Sequence, residues 1–279
     1  MPATRRSAGR PIYVEARISA PMDLVWNLTQ TPHEHQRWDA RFTRIRYAAA
    51  APEHSTETGP PPVVRFRYLL GWPGGPALRG TGVTTAERQR SDGSRTSALR
   101  FRSDNAFSPL QEGAGYWRYT PADPPTGEGV LFVTGYDYRS WQWPGGARLD
   151  RWFVRPFVGW LTAWSFDRLR LWAERGITPE RSLLHAGAET SVRLGVVLAA
   201  AFLAAGRTGV AAGVLVGGAA LLLCASVPPS SLTPAARRCA RRPNRKRPGR
   251  NNASENNPAG TAPGRSARPP RLLTTLEKP

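Results

Sequence analysis

Lysine is almost missing from this chain: of 39 basic residues, only Lys246 and Lys278 are lysine. So uniform a bias follows coding composition rather than a need for guanidinium chemistry at each site, and a single arginine therefore says little. Cysteine is as scarce. Cys224 lies in an apolar run and Cys239 in a basic region, which excludes a disulfide framework and a paired-cysteine metal site. The histidines are four, His33, His35, His54 and His185. His33 and His35 follow a helix-starting proline, and on a helix they point about 200° apart, so they would chelate one metal only from an extended loop. The spacing predicts a solvent-facing helix turn and no metal or cofactor site. No nucleophile elbow, paired Ser/His arrangement or Gly-rich phosphate loop is present either, which removes the common signals of hydrolases and phosphoryl transfer. The N-terminal stretch MPATRRSAGRPIYVEARI has no apolar signal-peptide core.

Charge is present but unevenly placed. The chain carries a formal +19, and more than half of it falls in residues 228–279. That segment is rich in Pro, Gly, Asn and Arg and has scarcely an apolar residue before Leu272, so it reads as a disordered basic tail. Such a tail can serve anionic lipid or nucleic acid. The apolar run before it favours lipid, and nucleic acid is not expected as a partner.

That run, GVAAGVLVGGAALLLCASV from Gly209 to Val227, is 19 residues without a charge, close to the roughly 20 needed to cross a bilayer core. Leu194 to Gly206 adds a second apolar stretch. Residues 186–227 are thus expected to hold one or two transmembrane segments, the hairpin being favoured. Arginines follow the second run directly and Arg168, Arg170, Arg175 and Arg181 precede the first, so a hairpin puts both ends on the cytoplasmic side. The protein is expected to be membrane-associated, with its N-terminal domain and tail cytoplasmic.

Ahead of this, Ile12–Ile18 alternates strictly, as a half-buried strand does. A helix is predicted over MDLVWNLTQ, and Thr31-Pro32 starts a second. Six more strands are predicted, near 42–48, 63–70, 77–88, 97–103, 113–121 and 129–141, divided by turn residues. Residues 147–176 read as one long apolar helix, kinked near Pro156 and ended by Gly176. The order makes an α+β domain with a curved antiparallel sheet around a long helix, an arrangement that commonly leaves an apolar cavity.

The string VEARISAPMDLVWNLTQTPHEHQRWDARFTRI resembles the start of the SRPBCC superfamily, the helix-grip fold of START lipid-transfer domains, pollen-allergen-type proteins and polyketide cyclase/dehydrase-like proteins. Ala20-Pro21, Val25-Trp26, Pro32 and Trp38 carry the likeness. It implies a helix-grip fold, a seven-stranded curved antiparallel sheet around a long C-terminal helix. The organisation expected is a flexible N terminus (1–11), an SRPBCC-like ligand-binding domain (12–176), a transmembrane helical hairpin (186–227) and a disordered tail (228–279).

In WDARF, Asp39 and Arg41 are placed to pair and fix the helix-to-strand corner; Trp38 and Phe42 then anchor it while Asp39 caps or pairs, or else the corner closes one end of the cavity and sets Trp38 or Arg41 against a ligand. Alternation on the last strand puts Phe132, Thr134, Tyr136 and Tyr138 on one face, suited to a cavity wall. Trp160 and Trp164 complete the candidate ligand-binding set from the long helix. The reading is a membrane-tethered domain that binds a hydrophobic small molecule, a lipid or polyketide-like compound, without catalysis. Two alternatives stand beside it: a cyclase/aromatase in which Tyr136, Asp137 or Arg118 assists proton transfer, and an interaction protein whose cavity is filled by its own aromatics.

Overall fold

The computed structural model describes residues 9–47, 65–70, 78–105, 108–122, 129–141 and 143–243, all but Pro243 within one compact unit, Met1–Arg242. Seven strands form one antiparallel sheet: β1 (Ile12–Ile18), β2 (Arg44–Tyr47), β3 (Arg65–Leu70), β4 (Leu78–Gln89), β5 (Arg95–Ser103), β6 (Glu112–Pro121) and β7 (Val130–Arg139). Their spatial order is β1-β7-β6-β5-β4-β3-β2, so the first strand closes against the last, with Ile12 opposite Tyr136 and Ile18 opposite Val130. Between β1 and β2 lie α1 (Met22–Gln30) and α2 (Pro32–Trp38). The strand and helix order is the α+β one expected from the sequence.

Burial follows the period of each segment. Ile12, Val14, Ala16 and Ile18 are buried while Arg17 between them is exposed. They pack with Phe132 of β7 and with Ala163, Phe166 and Leu169 of the long helix. Each Ile, Val, Leu or Phe among them stabilises by about 1.5–3 kcal/mol when taken from water, before its ordering entropy is counted.

The long helix has three parts, a helical turn α3 (Gly146–Leu149), a π-helical turn Asp150–Val154, and α4 (Arg155–Arg175). Pro156 explains the break, because its ring nitrogen has no hydrogen to give to the turn before it; the wider π turn absorbs the mismatch. Asp150 fixes that turn by accepting from Tyr138 Oη at 2.7 Å and from Arg155 Nε at 2.9 Å. Gly176 ends α4 at φ +64, its N–H reaching Trp172 O while Ile177 N–H reaches Leu171 O, a left-handed cap that glycine adopts at little cost.

Two helices then project from the domain, α5 (Pro179–Thr208) and α6 (Val210–Ser226), joined at Gly209 with φ +96. They lie antiparallel on a seam of small residues: a Cβ on Gly213 would meet Ala205 Cβ at 2.7 Å, and one on Gly217 would meet Ala201 Cβ at 2.9 Å. Among the described residues α5 alone is long and apolar enough to cross a membrane; α6 is apolar but only 17 residues. The sequence pointed first to the later run, whereas the continuous thirty-residue helix is the earlier one. It absorbs Glu189 and Arg193, which pair with each other, and Arg193 Nη1 also donates to Val227 O at 3.0 Å at the end of α6.

The basic segment departs from expectation at its beginning. Residues 228–240, read from composition as disordered, form an ordered strap along α4. Trp164 Nε1 donates to Pro234 O at 3.1 Å, and Asp167 accepts from Ala235 N at 2.7 Å and Arg238 Nη1 at 2.8 Å. Ala240 then pairs with Glu15 on the free edge of β1, and Cys239 is buried. Composition missed this because the strap is ordered by backbone bonds to partners far away in sequence, not by apolar content of its own. Residues 1–8 of the expected flexible N terminus and 244–279 of the expected tail lie outside the described residues.

Candidate ligand cavity

Between the concave face of the sheet and the first half of α4 lies a cavity of about 500 Å³. Its walls come from β3 (Phe66, Tyr68, Leu70), β5 (Leu99, Phe101), β7 (Thr134, Tyr136) and the helix (Phe153, Phe157, Val158, Leu161), and the α2–β2 corner closes it with His35, Arg41 and Phe42. The glycines of β4 help to shape it. A Cβ on Gly80 would fall 2.3 Å from the Tyr68 ring and one on Gly82 2.1 Å from the Phe66 ring, so bare backbone lets both aromatics lie across the strand. The expectation of a cavity filled by the chain's own aromatics does not hold.

Polar groups gather at one pole. Asp39 is wholly buried and accepts from Arg41 Nε at 2.9 Å, Arg41 Nη2 at 2.6 Å and the Arg41 backbone N–H at 3.1 Å. His35 Nε2 stands 3.1 Å from Asp39 Oδ2. Burial pushes the Asp39 carboxyl up, but the Arg41 guanidinium and the His35 bond outweigh it and hold the group well below the usual carboxylate range. Burial also lowers the His35 pKa, against the opposing pull of Asp39, which keeps the imidazole neutral. Arg41 lies 5.4 Å from the Tyr136 ring centre, and the Tyr136 hydroxyl is 2.8 Å from Thr162 Oγ1.

The corner is locked from behind by Arg168, whose Nη1 donates to Trp38 O at 3.2 Å and whose Nη2 donates to Arg37 O at 2.9 Å and Pro179 O at 3.1 Å. This guanidinium satisfies carbonyls at the end of α2 that the helix leaves unpaired. Burial pulls its own pKa down to about 10.

The candidate residues divide accordingly. Arg41, Thr134 and Tyr136 line the cavity. Trp38 does not: it is fully buried in the core, with Nε1 donating to Leu28 O at 2.8 Å, and serves as anchor of the corner. Phe132 is likewise core, stacked on Tyr119 and Phe166. Tyr138 is buried against Asp150, Trp164 is held under the strap, and Trp160 stacks on Trp164 with 43% exposure. Asp137 binds Arg155 at 2.8 Å and Arg118 lies over the Tyr116 ring, neither on the cavity wall. Period alone assigned the inner face of β7 correctly, but it could not tell which inward residues meet the helix and which meet empty space.

His35 is the buried cavity-lining residue that sequence reasoning missed. The solvent-facing turn expected there holds for His33, whose side chain is 70% exposed, but His35 is wedged between Trp38, Phe42 and Trp117. Its i,i+4 spacing to Asp39 was the available signal. Among the described residues no group of three or more His, Cys, Asp or Glu could hold a metal ion.

No family model matches the chain. It is similar to the uncharacterized membrane protein YndG of Bacillus subtilis (strain 168), at 36% identity over 172 residues that cover 62% of this chain and 60% of that protein. The chain thus matches well under two thirds of that relative's length. Among solved structures it is similar to a STAR-related lipid transfer protein fragment from Xanthomonas axonopodis, with 16% identity, 60% of this chain and 87% of that one covered, and a TM-score of 0.43. A second is the Zhui aromatase/cyclase from Streptomyces sp. R1128, with 12% identity, 59% and 98% covered, and a TM-score of 0.36. Likenesses that distant add nothing to the fold as its own geometry gives it.

Proposed function

We propose that this protein is a membrane-tethered binding domain of SRPBCC type that holds one amphipathic small molecule, lipid or polyketide-like, in the cavity between sheet and α4. The supporting observation is the cavity itself, about 500 Å³ with an apolar wall and one polar pole at Arg41 and Tyr136. Sites of that size and lining suit small hydrophobic ligands oriented by a few polar groups. Of the three residues the cyclase reading would use, Tyr136 lies on the wall while Arg118 and Asp137 lie off it.

The tether is α5 with α6. Leu198, Phe202, Val214, Leu215 and Leu222 stand exposed on this projecting pair, as lipid-facing side chains do, and the related YndG bears the name of a membrane protein. Arg170 and Arg175 before the pair, Arg181 in its first turn, and Arg237, Arg241 and Arg242 after it fit a cytoplasmic placement of the domain.

The test is native mass spectrometry with organic extraction of the full-length protein in lipid nanodiscs, alongside a Leu161→Trp variant that fills the cavity. A stoichiometric apolar compound present in the parent and lost from the variant is the expected result. Identical extracts from both would overturn the reading.

A further inference from the structure

The polar pole of the cavity has a fixed pattern of hydrogen-bond donors and acceptors, and that pattern selects a kind of head group. Asp39 is held as a carboxylate by two side-chain bonds and one backbone bond from Arg41. A carboxylate only accepts, so the His35 Nε2 beside it at 3.1 Å carries the proton. In the neutral ring Nδ1 then bears a lone pair, and no described residue bonds to it. The ring is more than nine-tenths buried and lines the cavity.

The neighbouring hydroxyls are ordered as well. Thr162 Oγ1 donates to Val158 O at 2.7 Å, so the Tyr136 hydroxyl at 2.8 Å donates to Thr162 and offers the cavity only an acceptor. Arg41 spends Nε and one Nη2 hydrogen on Asp39 and also interacts with the Tyr136 hydroxyl, so its remaining guanidinium hydrogens are the donors left at this pole.

We propose that His35 Nδ1 accepts a hydrogen bond from a hydroxyl of the ligand while Arg41 donates to an adjacent oxygen, so the bound class is an apolar molecule whose head carries a hydroxyl beside a carbonyl. This rests on the binding role given above. A site built to pair with a hydroxyl discriminates against the same molecule without it, because the buried acceptor is then left unpaired.

The experiment measures equilibrium binding of three tritiated probes to the full-length protein in nanodiscs, with empty nanodiscs subtracted: 3-hydroxy-2-dodecanone, its O-methyl ether and 2-dodecanone. The hydroxy ketone is expected to bind ~tenfold more tightly than the ether, the factor that one net hydrogen bond supplies. In His35→Leu, which has no acceptor in place of Nδ1, the two should bind alike and the ether should bind as before. Should that variant lose the ether too, the parent protein carries the test: its ¹⁵N-labelled His35 Nδ1 resonance shifts with the hydroxy ketone and not with the ether. Equal binding of all three probes, a preference that survives His35→Leu, or an unmoved Nδ1 resonance overturns the inference and leaves the carrier role standing. Binding of none of them overturns both.

Discussion

Asp39→Ala is the perturbation that tests the reasoning about the corner most directly. The carboxylate is fully buried and answers two positive or potentially positive neighbours, Arg41 with contacts at 2.6 and 2.9 Å and His35 at 3.1 Å. Removing it leaves a guanidinium without its counter-ion in a largely dry site. Breaking a buried pair from one side costs about 3–5 kcal/mol. Arg41 keeps 14% of its side chain exposed, which places the expected loss near the lower end, about 3 kcal/mol. Replacing both partners, as Asp39→Leu with Arg41→Met, removes the charges together and should leave mainly the cost of the unpaired His35 N–H, about 1–2 kcal/mol. Urea denaturation followed by tryptophan fluorescence reads the corner, because Trp38 and Trp117 flank His35. The acid limb supplies a second readout. Asp39 has a folded pKa depressed below its ordinary 3.8, so its stabilisation is complete above about pH 4 and is lost as pH falls from there toward the depressed value. The parent should therefore lose stability below pH 4 more steeply than the double variant. An Asp39→Ala loss under about 1 kcal/mol, or a double variant as unstable as the single, would refute the account.

Cys239 reports on the strap. Burial pushes its thiol up from 9.0 to about 12, so docking of the strap is undiminished below pH 9 and weakens as pH rises from 9 toward 12, where the undocked thiol ionises first. On a Cys224→Ser background, iodoacetamide should modify Cys239 far more slowly than a free thiol at pH 8; modification at the free-thiol rate would mean the strap is not docked. Trp164→Ala removes the bond to Pro234 O and should speed that modification while leaving probe binding in the cavity unchanged. In the projecting pair, Gly213→Leu collides with Ala205 Cβ at 2.7 Å and Ala201 O at 2.8 Å, whereas Gly218 has nothing within 4 Å. Gly213→Leu alone should separate α5 from α6, seen as a longer spin-label distance between the exposed positions Leu198→Cys and Leu222→Cys on a background lacking the native cysteines, and equal distances in both leucine variants would contradict the seam.

Much of the domain was legible along the chain. IYVEARI alternates with period two and folds as β1 with its even positions buried; the turn signals divided the later strands within two or three residues of their ends. Asp39 and Arg41 were expected to pair at the corner from their spacing, and they do. Pro156 announced the break in the long helix, though not that a π turn would accommodate it. Local backbone chemistry decides these features, so a short window of sequence contains them.

The sequence by itself therefore determined the order of elements, the faces of β1 and β7 and the apolar character of the last two helices. Only the tertiary structure decided which inward side chains surround empty space: Tyr136 lines the cavity while Tyr138, two residues on along the same face, ends against Asp150 beneath the π turn. Only it packed His35 against Trp117 and placed residues 228–240 against α4 and β1, 71 positions apart in the Asp167–Arg238 contact. The physical reason is the same in each case. Period and composition describe how a segment meets an environment, but a cavity and a long-range bond exist only where segments distant in the chain meet each other.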